Sequence, residues 1–558
     1  MRILFTLVLI CAALGSARAD RPPMVAAAHP LAAEAGMKVL RAGGSAVDAA
    51  IAIQAVLTLV EPQSSGIGGG AFMLHWRASD GRLDAYDGRE TAPAAAGPDL
   101  FLRSDGSRMK FFEAVVGGRA VGAPGVLAML ELAHGEHGAL AWADLFGDAV
   151  RLSEEGFEVT PRLHYLLHRD IFLKASPTAA PYFYDANSEP RPIGHLLRNP
   201  QLATTFRAVA ASGAKALSEG PIAESIVGAV QGHALNPGLL TLEDLQAYRA
   251  KRREPVCIRY RIYSVCGMPP PTSGGMTVAQ ILGQLRHLPV GEAGPGTPKA
   301  VHLISEAQKR AYADRGLYLA DSDFVDVPVQ GLLDAEYLKQ RALEIDPARS
   351  GGDAEPGQVR RKTEFRPGQD LAQPATTHFA VVDARGNVVS MTSSVENAFG
   401  SRIMVAGFML NNQLTDFSFA PTDEDGRVVA NAVAPGKRPR SSMSPTIVLN
   451  PDGGFRLAIG SPGGSRIIGY VAKSLVAVLD WKLPVQAAID LPHHVNRNGP
   501  VDLEEGTSIE SLAPALEAMG HQVKARTLNS GLHGIEHING VWRGGADPRR
   551  EGVVLSGD

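Results

Sequence analysis

From Arg349 to Ala375 the chain reads RSGGDAEPGQVRRKTEFRPGQDLAQPA, rich in charge, glycine and proline and nearly free of apolar periodicity. Such a stretch has little to bury and reads as a linker or mobile loop. Loops this long inside a compact protein are uncommon and tend to be functional or disordered. Strong β-pattern begins at once after it: Thr377–Val382 (THFAVV), a turn over Asp383–Asn387, and a returning strand from Val388 to Ser393 (VVSMTS). A mobile polar segment that ends abruptly at a buried hairpin marks either an ordinary interdomain joint or a processing site. If Asp383 pairs with Asn387 across the turn, Ser394 falls opposite Thr376, within side-chain reach. Glu396, two residues further, then shares that face. A one-residue slip would turn every one of these side chains away.

The remaining chain has the composition of an ordinary globular protein, 45% apolar and 20% charged over 558 residues. Its 54 basic and 58 acidic residues leave a formal net charge of −4, which argues against a general nucleic-acid binder. Glycine and proline follow no fixed period, so collagen and solenoid folds are excluded. From Pro30, LAAEAGMKVLRAGG predicts a helix that stops at Gly43-Gly44, and Ala46 to Leu59 a second, apolar helix ending before Pro62. The loop Ser64–Gly70 resembles a dinucleotide loop only in Gly66-x-Gly68-x-x-Ala71. It lacks the preceding strand and leads into a strand, so a close-packed turn is expected. Residues 120–350 read as mostly helical. His164 and His168 stand four apart on one predicted helix, but no acidic neighbour completes a zinc site. His493-His494 reads as local packing or surface. No metal and no organic cofactor are expected.

The first residues, MRILFTLVLICAALGSARAD, combine Arg2, an apolar run from Ile3 to Leu14 and the small-x-small site Ala17-Arg18-Ala19. That is the pattern of a signal peptide over residues 1–19, and the apolar run is too short to span a bilayer. Bulky Ile10 before Cys11 argues against lipidation. A periplasmic or secreted location is expected, with no stable membrane span after the signal is removed. The mature chain would keep Cys257 and Cys266. Export permits a disulfide, and their spacing allows either a bridge across a bend or two buried thiols.

Several motifs together point to one family. They are Gly43-Gly44-Ser45-Ala46-Val47-Asp48-Ala49-Ala50, Gly88-Arg89-Glu90 and Cys266-Gly267-Met268-Pro269-Pro270-Pro271 upstream. Downstream stand Thr376-Thr377-His378-Phe379, Asn411-Asn412-Gln413, Ser441-Ser442-Met443-Ser444-Pro445-Thr446, Gly460-Ser461-Pro462-Gly463-Gly464-Ser465-Arg466 and Asp547-Pro548-Arg549. In this order, from about residue 25 to 550, they closely resemble the γ-glutamyltransferases (glutathione hydrolases). The resemblance implies an α+β fold, the four-layer αββα sandwich of the N-terminal-nucleophile hydrolases. It also implies self-cleavage between Ala375 and Thr376. A large subunit of residues 20–375 and a small subunit of 376–558 would remain together as one catalytic unit.

The chemistry the resemblance implies explains the threonine. The Thr376 hydroxyl attacks its own preceding carbonyl, and hydrolysis of the ester frees an α-amine that then serves as base for the same hydroxyl. An α-amine with a pKa near 7.7–8.0 is partly neutral at neutral pH, so no catalytic histidine is needed and His378 reads as structural. No Gly-x-Ser-x-Gly elbow offers a Ser-His-Asp alternative. By resemblance Ser394 positions the nucleophile, and Gly463 and Gly464 donate backbone N–H groups to the oxyanion. Arg89 and Ser441, with Ser442 beside them, would hold the donor α-carboxylate. Gln413 and Asp416 would hold its ammonium. Glu396 stands where many members have Asn, and Asn397 is expected to point the other way. Glu396 and Asp416 would then share one cation, with altered donor or acceptor preference. The segment Phe417–Ala430, at the family's lid, is short, acidic and without Tyr, which suggests an open acceptor side. Expected partners are glutathione or other γ-glutamyl compounds, with water, amino acids or peptides as acceptors. The alternatives are an acylase of the same fold acting on another group, such as a β-lactam side chain, or a non-catalytic secreted binding protein.

Overall fold

The hairpin that follows the polar stretch is buried at every position of both strands, Thr377–Val382 and Val388–Ser394. Strands buried on both faces need a layer on each side, and side-chain alternation decides which layer each residue meets. In a computed structural model describing residues 22–360, 365–366, 375–423 and 425–557, Phe379, Val381, Val389 and Met391 pack towards helices Pro30–Arg41 and Ala46–Val60. Ala380, Val382 and Val388 face the other way, into a core shared with a second sheet. The expected leader, residues 1–19 with Cys11, lies outside the described residues, as do residues 361–364 and 367–374 of the polar stretch.

The first sheet has seven strands in the order Val553–Ser556, Met24–Ala27, Thr377–Val382, Val388–Ser394, Gly70–Trp76, Leu83–Gly88 and Lys251–Arg253. Every pairing is antiparallel. The second has six: Val541–Ala546, His533–Ile538, Phe455–Gly460, Thr446–Leu449, Tyr263–Gly267 and Val256–Tyr260. Helices Gly274–Leu285, Pro298–Tyr318 and Ile467–Leu479 share the second core and cover the outer face. The layers run helix, sheet, sheet, helix, which is the αββα arrangement expected. No helix among the described residues is long and apolar enough to cross a membrane.

Helix Ala46–Val60 is buried throughout. Its start is fixed by a reciprocal cap in which Ser45 Oγ accepts from Asp48 N and Asp48 accepts from Ser45 N. The loop before Gly70 is a close-packed turn, as expected. Gly68 accepts from both Asn411 N and Asn411 Nδ2, and a Cβ on it would lie 2.2 Å from the Met409 carbonyl oxygen.

Two expectations are settled differently from an even choice. Cys257 and Cys266 face each other directly across the edge hairpin of the second sheet and form a disulfide. The early part of the polar stretch is not a free linker. Ala354 exchanges two hydrogen bonds with the Asn498 side chain, and Gly357 is held by Asp314 and the Tyr318 hydroxyl. Its backbone polar groups find side-chain partners on the body of the protein, which a reading of apolar periodicity does not register.

Gly68→Ala should cost about 1–3 kcal/mol, because the new methyl meets main chain that cannot step aside. Denaturant unfolding should show this as a lower midpoint with an unchanged slope.

Candidate active site

The register of the central hairpin positions the first members of the site. Val382 pairs with Val388 and Thr377 with Ser393, so the next residues outward, Thr376 and Ser394, come together. Their hydroxyl oxygens are 3.1 Å apart. Both hydroxyls donate to the carbonyl of Ala375, Ser394 at 2.9 Å. The Ala375–Thr376 peptide thus has a hydroxyl nucleophile lying against it and a second hydroxyl polarising its carbonyl.

The far side of Thr376 is held by charge. Arg550 donates from Nη1 to the Thr376 carbonyl at 2.9 Å, and Glu61 accepts from the Thr377 hydroxyl at 2.7 Å. Arg550 and Glu61 are buried deeply enough to oppose their charged forms. Burial lowers Arg550 to about 9, and burial raises Glu61 above the usual carboxyl range against the pull of Arg162 and Arg550. Neither residue stands out in the sequence. The only signal for Glu61 is an acid closing a mostly apolar helix, and for Arg550 a second arginine after Asp547-Pro548-Arg549.

Thr376, Ser394, Glu396, Gln413, Asp416, Ser441, Ser442 and Gly464 line one cavity. Its volume is about 20 Å³, room for about one water. Glu396 reaches it by a route other than the one expected. The strand ends at Ser394, and Glu396 has φ +79°, so strand alternation no longer applies. Its N–H donates to Ser394 Oγ, and its carboxylate accepts from Asn412 Nδ2 at 2.5 Å. Asn397 does turn away, accepting from Arg402. Gly463 and Gly464 have φ of +136° and +59°, conformations that favour glycine, and only Gly464 lines the cavity.

In the uncut chain Arg89 is fully buried and lies behind the cavity rather than in its wall. Its Nη2 donates to Asp416 at 2.5 Å and its Nε to the Pro439 carbonyl. Nη1 has no hydrogen-bond partner among the described residues and stands 3.7 Å from Glu90. The guanidinium therefore orients Asp416, which also accepts from Gln413 Nε2 at 3.3 Å. Ser442 Oγ accepts from Arg315 Nη2, and Ser441 Oγ from Met443 N. The segment that begins at Phe417 is anchored near its start, where Phe419 stacks on Phe101 at 4.6 Å.

His378 is buried, bonds Thr392 Oγ1 at 2.8 Å and is held neutral, its pKa well below the usual value through burial. It cannot reach the cavity as a base. His164 bonds the Arg191 carbonyl, and His493 bonds Lys473 and Ser530 in the interior. Two histidine–carboxylate groups that the sequence reading did not single out, His75–Asp84–His137 and His302–Glu306–His521, have their acids engaged by arginine or lysine. That leaves little negative charge for a cation.

Glu90 is fully buried against Gly70, and neither carboxylate oxygen has a hydrogen-bond partner among the described residues. Burial raises it to about 8 despite Arg89, with Asp416 and Asp87 adding to the rise. The folded state thus holds a proton that the unfolded chain gives up near pH 4.5. Stability from this group is greatest in acid and is lost as pH rises from about 5 to 8. Glu90→Gln should therefore gain on the parent across that window, by on the order of 1–3 kcal/mol at pH 8.5. Unfolding curves at pH 5 and 8.5 measure the difference, and an equal effect at both would contradict it.

The family model for gamma-glutamyltranspeptidase matches residues 32–557. Glutathione hydrolase proenzyme of Bacillus subtilis (strain 168) is 36% identical over 546 residues, covering 95% of this chain and 91% of the relative. That of Escherichia coli (strain K12) is 38% identical, covering 96% and 91%. Among solved structures, cephalosporin acylase from Bacillus halodurans superposes with a TM-score of 0.83 at 28% identity, covering 96% of each chain. With the threonine, its partner hydroxyl and the acidic cavity in place, the chain belongs to the gamma-glutamyltranspeptidase family.

Proposed function

We propose that this chain is the precursor of an exported γ-glutamyltransferase and glutathione hydrolase. The observation that carries the reading is the group of the Thr376 hydroxyl, the Ser394 hydroxyl and the Ala375 carbonyl. Thr376 Oγ1 attacks the Ala375 carbonyl carbon, the C–N bond breaks, and the chain passes to an ester. Water cleaves the ester, leaving Ala375 as a carboxylate and Thr376 with a free α-amine. Residues 20–375 and 376–558 become large and small subunits of one unit. A cavity of about 20 Å³ is too small for a γ-glutamyl group, so the uncut chain is a zymogen.

In the mature enzyme the α-amine takes the proton from Oγ1, which attacks the γ-carbonyl of the donor. Backbone N–H groups of Gly463 and Gly464 receive the oxyanion, and the amine leaves with a proton. Water or an acceptor amine then releases the γ-glutamyl group from Thr376. Glu396 and Asp416 offer two carboxylates to the donor ammonium, with Gln413 beside them. Ser441, Ser442 and the unused Nη1 of Arg89 suit its α-carboxylate once the site opens.

The second reading, an acylase, is favoured by the likeness to cephalosporin acylase. A glutaryl group lacks the ammonium and so gains nothing from the two acids of the cavity wall, Glu396 and Asp416, which favours a γ-glutamyl donor. Export is supported by the disulfide, which belongs to oxidising compartments, together with the leader pattern of residues 1–19.

A denaturing gel should show fragments near two-thirds and one-third of the mass, the smaller beginning at Thr376. Thr376→Ala should remain one band and lose activity, and Ser394→Ala should slow cleavage about 100-fold. The mature enzyme should release a chromogenic amine from a γ-glutamyl anilide at least tenfold faster than from a glutaryl anilide. The reverse order would establish the acylase. Glu396→Gln should raise KM for the γ-glutamyl anilide several-fold, and an unchanged KM would remove Glu396 from the ammonium site.

A further inference from the structure

Helix Ile467–Leu479 begins at the site, where Ile467 lines the small cavity beside Gly464. Further along, its Lys473 lines another cavity, of about 400 Å³, which shares no lining residue with the first. That volume lies in the range of about 300–1,000 Å³ usual for small-molecule sites. The walls are largely apolar, with Val301, Trp481, Leu491 and Ile509 among them. None of the described lining residues is acidic, and Lys473 and His494 are the titratable ones. Both lie in the depth, Lys473 1% and His494 4% exposed.

Lys473 lacks a counter-ion. Its Nζ donates to the Leu491 carbonyl at 2.8 Å and to Nδ1 of His493 at 3.0 Å. Both acceptors are neutral, since burial holds His493 well below its usual pKa, with Lys473, Arg549 and His494 adding to the fall. His493 bonds Ser530 at 2.6 Å, and Ser530 donates to Asp547. That acid is already paired with Arg549, at 3.1 Å. No carboxylate pairs directly with Lys473 among the described residues, and one of its three N–H donors is left over. Burial lowers Lys473 to about 7, with Arg549 adding to the fall and Asp547, Glu504 and Asp490 opposing it. Burial likewise lowers His494 to about 3, with Lys473 adding, so its ring is neutral. Nδ1 of His494 has no hydrogen-bond partner among the described residues. Two buried polar groups in one cavity wall thus want a partner of the kind such groups ordinarily find.

We infer that this cavity is a binding site for a free monocarboxylic acid with an apolar body, its carboxylate meeting Lys473 and His494 and its hydrocarbon lying against Val301, Trp481 and Ile509. A carboxylate has two accepting oxygens and can take a donor from each of the two side chains. A charge-assisted bond from an ammonium is stronger than a neutral one, and a low-dielectric wall strengthens it further. Removing the hydrocarbon from water adds to the affinity. No bond is made or broken, and the site stands independently of the γ-glutamyl reading.

The test uses the purified protein with two probes, octanoate and octanamide, which share a hydrocarbon body and differ in charge. Titration calorimetry at pH 6.5 and low salt, where most of Lys473 is protonated, gives Kd for each. Octanoate should bind at least about tenfold more tightly than octanamide. Lys473→Met keeps an unbranched apolar side chain and should bring the two within about twofold of each other. Ile509→Trp fills the cavity and should weaken both probes. Equal affinity for acid and amide in the parent, or binding of neither, overturns the inference without recourse to any variant. A preference for the acid that survives Lys473→Met, or octanoate binding unmoved by Ile509→Trp, overturns it as well.

Discussion

The antiparallel pairing of Thr377–Val382 with Val388–Ser394 is the constraint on which the site rests. It sits in the middle of a seven-stranded sheet, with Met24–Ala27 on one side and Gly70–Trp76 on the other. Both faces are covered, so a slip in register would expose every apolar side chain of the hairpin on the wrong layer. The core therefore fixes the meeting of Thr376 and Ser394, at no cost in dedicated local structure. On its other edge Val388–Ser394 pairs with Gly70–Trp76, which brings Ser394 beside Gly70, and the missing Cβ there leaves room for the Glu90 carboxyl. Packing far from the chemistry thus sets distances within it.

Local pattern made the hairpin, its turn and its register legible, since each depends on residues within about twenty positions of one another. The two N-terminal helices and the close-packed glycine turn were legible for the same reason. Helix Pro298–Tyr318 shows the limit. It is buried almost throughout yet carries Glu306, Lys309, Arg310, Asp314 and Arg315 inside. Lys309 and Arg310 pair with Glu306 one turn away, Asp314 with Gln280 and Tyr337, and Arg315 reaches Ser442. Charges satisfied inside the protein, by a neighbour one turn away or by a distant partner, read as a solvated face until the partners are known. The polar strap at Ala354–Gly357 was misread for this reason, since its partners Asn498, Asp314 and Tyr318 lie far along the chain or on another helix.

The site residues divide along the same line. The family motifs place Ser441, Ser442, Gln413 and Asp416 at the cavity, and the structure brings them together. Arg89 is the instructive case. The motif assigns it to a substrate carboxylate, while in the uncut chain its Nη2 bonds Asp416 and its side chain is sealed from the cavity. Its contribution in the uncut chain is to hold an acid in place. Glu396 reaches the expected cavity by a left-handed residue rather than by strand alternation. A correct position can thus be reached from an incorrect local geometry, and only the backbone distinguishes the two.

Buried polar atoms without partners are few in native proteins, and each asks for a cause. Among the described residues they are spread through the interior, and four stand near this cavity: Nη1 of Arg89, both oxygens of Glu90 and Oε1 of Gln413. A site that served only to fold would satisfy these groups or replace them with apolar ones, because each unpaired group costs about 1–3 kcal/mol. The four near Asp416, beside a peptide bond already gripped by two hydroxyls, are the expected cost of a site built for a charged ligand that the uncut chain does not admit. Stability is given up at the same place where chemistry is assembled, and the surrounding two-core sandwich is large enough to sustain it.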